Sequence, residues 1–399
     1  ECNAVNMGQG FPNFDTPAFI KEHGKDAIAE GFNQYTGSRG HARLQRALAA
    51  KYAPRLGRDS IDGSKEVFVG VGASETLYCA IMAFTQEEGS EVVVFEPKFD
   101  LYAAQAQLCR ATVRPVPLHV QTVAETGVKR WTFSMEALEA AFTDKTRLLI
   151  INTPHNPTGM VFSRAELERI GMMLEKYPKC TLLSDEVYEH LVYDGAEHVS
   201  IASLSDALYS KTVTISSGGK MFTATGWKVG WAIGPESLIT KLWSIHQWIP
   251  FSVATPLQEG IARVIEQADQ PYEGESSYYE WLRKLFQAKR DRLMKALADA
   301  GIRAVNAEGG YFVMVETADL HVPLSYLSAQ PKVARDWALA RYLTREVGVS
   351  PIPPSAFHCK ENEEHAINYL RFAFCKEDSD IDECGRRLQK RDLKQPPPS

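Results

Sequence analysis

The stretch Ser216-Ser217-Gly218-Gly219-Lys220-Met221-Phe222-Thr223-Ala224-Thr225-Gly226-Trp227-Lys228-Val229-Gly230-Trp231 follows the β-branched run Thr212-Val213-Thr214-Ile215. A strand therefore delivers two glycines and a lysine at its carboxyl end. Between Ser216 and Trp231 the only charged side chains are Lys220 and Lys228. A lysine in crowded apolar surroundings loses its proton readily and serves as an amine nucleophile or base. Taken alone, an exposed loop lysine is the simpler reading.

Outward from this stretch, short apolar runs alternate with helical patterns. Strands are expected at 66–70, 91–95, 112–116, 147–151, 181–184 and 212–216, with amphipathic helices at 74–85, 134–142 and 163–177 between them. Ser163 followed by Glu166 predicts a capping box at the last of these. This is the βαβ rhythm of an α/β fold, a mostly parallel sheet covered by helices. After about residue 275 the pattern changes to a long charged helix over 278–300, strand runs near 303–305, 309–315 and 368–374, and a helix near 333–347. That spacing predicts a smaller α+β part. Gln395 to Ser399 reads as a disordered tail.

In open α/β sheets, ligands bind beyond the carboxyl ends of the strands. Three further segments lie at such positions. Gly70-Val71-Gly72-Ala73-Ser74-Glu75 is a glycine-rich strand-to-helix turn whose Ala73 and Ser74 amides favour an anion such as phosphate; a plain tight turn reads equally well. Glu75 stands where a dinucleotide fingerprint needs its third glycine, and Thr214 and Met221 break the P-loop pattern around Gly219-Lys220, which disfavours a nicotinamide dehydrogenase. Asn152 to Gly159, after strand 147–151, contains two X-Pro steps that force extended or turn geometry around Asn156; a plain turn needs no further explanation. Asp185 ends strand 181–184, just before Tyr188; a buried acid there needs a cationic partner, and a structural salt bridge is the plain alternative.

Composition bounds the partners. The 399 residues carry 44 Lys+Arg and 50 Asp+Glu, a formal charge of −6. With no clustered basic excess, a nucleic-acid partner is not expected. The most apolar long window, 67–84, is broken by Gly70, Gly72, Ser74 and Glu75, so no membrane span is expected. Seven scattered cysteines without a C-x-x-C pair predict reduced thiols, no disulfide framework and no metal site, as in a cytoplasmic protein. Glu1-Cys2-Asn3 reads as a trimmed start, compatible with a removed targeting segment.

Together the four segments resemble the pyridoxal-phosphate enzymes of fold type I, within them the class I aminotransferases, and among those the kynurenine/glutamine transaminase (cysteine-conjugate β-lyase) group. The resemblance extends over nearly the whole chain, from Asn6-Met7-Gly8-Gln9-Gly10-Phe11-Pro12 and Asn33-Gln34-Tyr35 through Glu96 to Tyr102 and on to Tyr369-Leu370-Arg371-Phe372. It implies a large cofactor-binding domain over 17–275 and a small domain made of 1–16 with 276–399. It implies that Lys220 holds pyridoxal 5'-phosphate as an aldimine and later moves the substrate proton, and that Asp185 pairs with the pyridinium nitrogen. Asn156 and Tyr188 would bond the phenolic oxygen, and Phe99 would stack on the ring. Ala73, Ser74, Ser217 and Lys228 would hold the phosphate, with Tyr35 contributed by the second subunit of a homodimer. Arg371 would clamp the substrate α-carboxylate, Gly10 belongs to a segment closing over the substrate, and Tyr102, Tyr311, Phe312 and Phe357 would form pocket walls.

The implied reaction is ping-pong transfer of an amino group from an amino acid to a 2-oxo acid. Dicarboxylate-specific members use an extra arginine from the partner subunit, whereas His246 to Pro256 here contains aromatics and no arginine. The expected donors are therefore neutral, aromatic or sulfur amino acids such as kynurenine, glutamine or methionine. Ser252 stands where the kynurenine pattern often has histidine. The alternatives are a cysteine S-conjugate β-lyase and a non-catalytic ligand-binding module, the latter disfavoured by the complete set of catalytic groups.

Overall fold

The computed structural model describes residues 3–329, 331 and 333–396. A short strand, β1 (Val5–Asn6), precedes the large sheet. That sheet contains β2 (Val67–Val71), β3 (Glu91–Glu96), β4 (Thr112–Thr122), β5 (Lys129–Phe133), β6 (Thr146–Asn152), β7 (Thr181–Asp185), β8 (Thr212–Ser217) and β9 (Val229–Ile233), in the order β2-β9-β8-β7-β6-β3-β4-β5. From β8 across to β4 the strands are parallel, while β9 and β5 run antiparallel to their neighbours.

Successive side chains of β6 serve opposite faces. Leu149 and Ile151 join Val93, Phe95 and Leu182 in one buried cluster, and Leu148 and Ile150 join Val92, Val94 and Leu183 in another. A strand buried on both faces reads as a continuous apolar run, which is why the central strands were visible in the sequence. Two strands of the large sheet were not expected. β5 forms a polar hairpin with the extended end of β4, and β9 lies inside the Gly-Trp-Lys-Val-Gly-Trp motif. Gly230 in β9 is there for space: a Cβ would sit 2.4 Å from the Ala73 amide nitrogen.

The helix after β2 begins at Gly72, two residues earlier than expected, and ends at Phe84. The predicted capping box is present at the helix Arg164–Leu174, where Ser163 and Glu166 bond each other's backbone amides. Beyond residue 275 the helix Tyr278–Asp299 packs on the helix Asp378–Gln389. β10 (Phe312–Glu316) pairs antiparallel with β12 (Tyr369–Ala373), and β11 (Val349–Ser350) pairs with β1. The expected strand at 303–305 is only a bridge from Ala304 to Val315. No helix among the described residues is long and apolar enough to cross a membrane. The six cysteines among the described residues are free, and Cys2 lies outside them, as does most of the predicted tail.

Candidate active site

The carboxyl ends of β6, β7 and β8 and the first turn of the helix Gly72–Phe84 open into one cavity of about 760 Å³. Ala73, Ser74, Phe99, Tyr102, Asn156 and Asp185 line it, and so do Tyr188, Ser217, Lys220, Lys228, Gly10 and Arg371. Tyr35 does not. It is 85 % exposed and lies against Phe251, their rings 5.5 Å apart.

Lys220 sits on the single helical turn Gly218–Met221, whose N-cap Ser217 accepts the Gly219 amide at 3.2 Å. The Lys220 ammonium donates to the Gly10 carbonyl at 3.2 Å and to the Tyr311 hydroxyl, and Tyr311 in turn donates to Gly10 at 2.6 Å. The exposed-loop reading of this lysine is therefore excluded. Burial lowers its pKa to about 8, opposed by the Cys375 and Asp185 charges and helped by Lys228 and Arg371. Tyr311 was expected as a wall; its hydroxyl instead tethers the amine. Nothing in the sequence pattern distinguishes it from the neighbouring Phe312, which does line the cavity.

Asp185, 3 % exposed, ends β7. Tyr102 donates its hydroxyl to Oδ2 at 2.5 Å, and among the described residues Asp185 forms no ion pair. Burial raises its pKa from 3.8 to about 6, against the lowering effects of the Tyr102 and Val187 hydrogen bonds and the Lys220 charge. An acid held in this state matches a cation supplied from outside the chain. The Asp185 carbonyl also accepts from the Asn152 side chain and the Thr153 amide, both at 3.0 Å, and Asn152 Oδ1 accepts the Asn156 amide at 2.7 Å. The turn carrying Asn156 is thus fixed to the strand carrying Asp185. Tyr188 packs against Tyr311, ring centroids 4.8 Å apart, and desolvation holds its phenol well above the ordinary range.

At the other end of the cavity, Gly72 has φ +69°, a left-handed conformation that admits the turn from strand to helix. The amides of the first helical turn lack intrahelical partners and favour an anion, and the exposed Lys228 lies beside this turn. A Cβ on Gly72 would lie 3.2 Å from Lys228 Nζ. Glu75, the residue that spoils the dinucleotide pattern, accepts the Val71 amide at 2.9 Å and is bonded to His246 at 2.9 Å. Its carboxylate holds the turn in place from behind.

Arg371 is buried on β12. It donates to Asn156 Oδ1 at 3.2 Å and to the Gly8 carbonyl at 2.8 Å, while its Nε is buried with no partner. Its guanidinium lies 4.0 Å from the Phe312 ring centroid and 4.7 Å from that of Phe357. Burial lowers its pKa to about 10, so it remains cationic at neutral pH. An aromatic-walled guanidinium with an unmet donor is suited to a carboxylate. A buried amine, a buried carboxyl with no ion pair among the described residues, a helix turn that favours an anion and a guanidinium with an unmet donor thus meet in one cavity.

Residues 3–388 match the family of class I and II aminotransferases, and the chain belongs to that family. It is an aminotransferase, and the family depends on pyridoxal phosphate and converts amino acids and 2-oxo acids. The chain is 42 % identical to the kynurenine–oxoglutarate transaminase of Dictyostelium discoideum, covering 97 % of this chain and 91 % of that protein. Among solved structures, Bna3p of Saccharomyces cerevisiae superposes with a TM-score of 0.89 at 34 % identity, covering 98 % of this chain and 91 % of the other. YbdL of Escherichia coli, a methionine aminotransferase, gives 0.83 at 31 %, covering 97 % and 94 %.

Proposed function

We propose that this cavity binds pyridoxal 5'-phosphate and that the enzyme transfers the amino group of a neutral, aromatic or sulfur amino acid to a 2-oxo acid. The observation that carries the reading is Asp185, a buried carboxyl with no cationic partner among the described residues, in the same cavity as a lysine whose pKa burial lowers to about 8. Bound there, the cofactor supplies an aldehyde that condenses with amines and a ring that draws off the electron pair left on the substrate Cα.

The chain's own residues do the rest. Asp185 keeps a protonated ring nitrogen charged. The Ala73 and Ser74 amides, Ser217 and Lys228 bind phosphate, joined by Tyr35 of a second copy in a homodimer. Phe99 covers one ring face, and Asn156 and Tyr188 donate to the ring oxygen. Arg371 orients the substrate by its α-carboxylate, and the Lys220 amine takes the proton from Cα and returns it on the other side of the transfer. Gly10, whose carbonyl already meets Lys220 and Tyr311, brings the N-terminal segment over the site. Residues 1–16 with 276–399 act as the small domain against 17–275.

The donor class follows from the walls, where Tyr102, Phe312 and Phe357 offer apolar surface. The names of the relatives in Dictyostelium and Escherichia agree with aromatic and sulfur substrates. The test is product analysis with kynurenine, methionine, glutamine and aspartate as donors. Amino transfer from the first three and weak transfer from aspartate support the reading. With a cysteine S-conjugate, pyruvate in excess of amino group transferred would replace it with a β-lyase.

A further inference from the structure

One wall of the cavity is a helix that these assignments leave without a task. Trp337, Ala340, Arg341, Thr344 and Arg345 all line the cavity. They recur at steps of three and four along the helix Arg335–Tyr342 and the π-helical turn Leu343–Val347 that continues it, so a single helical face looks inward. Arg341 is half-buried and Arg345 exposed, and neither makes a hydrogen bond or ion pair among the described residues. Their neighbour Arg335, by contrast, is tied to the Thr317 and Leu320 carbonyls at 2.7 Å each.

The face is anchored to the carboxylate clamp. Asp336, buried, accepts the Ser355 amide at 2.8 Å, and the turn Pro354–Phe357 that contains Ser355 carries the Phe357 ring under Arg371. Two arginines are thereby held at a set position relative to a third. The charged groups lining the cavity are Lys220, Lys228, Arg341, Arg345 and Arg371 with Asp100 and Asp185. On the reading proposed above, Lys228 serves phosphate, Asp185 the ring nitrogen, Lys220 the aldehyde and Arg371 the α-carboxylate. Arg341 and Arg345 then remain, and the exposed Asp100 is the other charged group of the lining left without a task.

We propose that Arg341, with Arg345 outside it, receives the distal carboxylate of a five-carbon dicarboxylic 2-oxo acid, the amino acceptor. A ping-pong enzyme must admit its uncharged donor and this acceptor to one cavity. Aromatic walls serve the donor, and arginines that reach water stay solvated while the donor is bound, so they do not penalise it. The second arginine expected of dicarboxylate users and missing from 246–256 is thus supplied by this chain's own helix.

The inference rests on the aminotransferase reading, and its test separates the two. Holoenzyme carrying Arg341→Gln, Arg345→Gln or both is compared with wild type using one aromatic donor and two acceptors of equal length, 2-oxoglutarate and 2-oxopentanoate. The expected result is a KM for 2-oxoglutarate raised roughly tenfold or more by Arg341→Gln, and less by Arg345→Gln, so that the preference for the dicarboxylate falls by that factor. Calorimetry with the unreactive acids glutarate and pentanoate reads the same subsite without turnover, and glutarate alone should lose affinity. Equal changes for both acceptors, or unchanged glutarate binding, overturn the assignment of Arg341. Failure of wild type to transfer an amino group to either acceptor overturns the aminotransferase reading instead, while the glutarate comparison still decides the arginine.

Discussion

Replacing Asp185 by asparagine should stabilise the cofactor-free protein while disabling the enzyme. The carboxyl is buried, bonded to Tyr102 and without an ion pair, and burial raises its pKa from 3.8 to about 6. At about 1.4 kcal/mol per unit, ionising it in the folded protein costs about 3 kcal/mol. The sign follows from proton binding. The folded state holds this proton more tightly than the unfolded state, so stability falls as pH rises from about 4 to 6, and the penalty is complete above that. Asparagine avoids it, since its amide oxygen still accepts from Tyr102. Urea unfolding of cofactor-stripped protein should therefore show Asp185→Asn ahead of wild type by up to about 3 kcal/mol at pH 8, and level with it near pH 4. The holoenzyme should lose on the order of 10²–10³ in kcat, as when a preorganised charge is removed from a reacting centre. A cofactor-free variant no more stable than wild type at pH 8, or a fully active holoenzyme variant, would refute the reasoning. Such a residue trades stability for function.

Three further outcomes are expected. Lys220→Ala removes the amine proposed to move the Cα proton, and kcat should fall by on the order of 10⁴ or more in a single-turnover assay, with the unfolding midpoint little changed. Arg371→Lys keeps the charge but loses the planar fork, so kcat/KM for amino acids should drop roughly 10–100-fold, mostly through KM. Gly230→Ala drives a methyl to within 2.4 Å of the Ala73 amide and displaces the anion turn; cofactor retention on dialysis should fall, and stability by about 1–3 kcal/mol.

Much of this site was legible because chemistry was placed at strand ends. β6, β7 and β8 are apolar runs long enough to be recognised, and Asn156, Asp185 and Lys220 follow from where those runs stop. A buried acid at the end of β7 calls for a cation; among the described residues no protein cation pairs with Asp185, which directs the demand to what the cavity binds. What stayed hidden depended on three-dimensional direction. β9 is short and contains glycine, so its role in backing the Gly72-Ala73 turn appears only when the strand is placed. Glu75 breaks a motif in the sequence, while its hydrogen bond to Val71 depends on the fold of the turn. The helical period around residue 340 is visible in the sequence, but a period does not say which face meets a cavity, so Arg341 is not distinguished by it. Tyr35 is exposed against Phe251 in the single chain, so its proposed role requires a second copy.

The central claim is tested most directly by the visible absorption spectrum of the purified protein during titration with amino acids. The account predicts a coloured holoenzyme that bleaches with kynurenine or methionine, responds weakly to aspartate, and regains its colour when a 2-oxo acid is added. A protein that takes up no pyridoxal phosphate, or whose colour is indifferent to every amino acid, would contradict it.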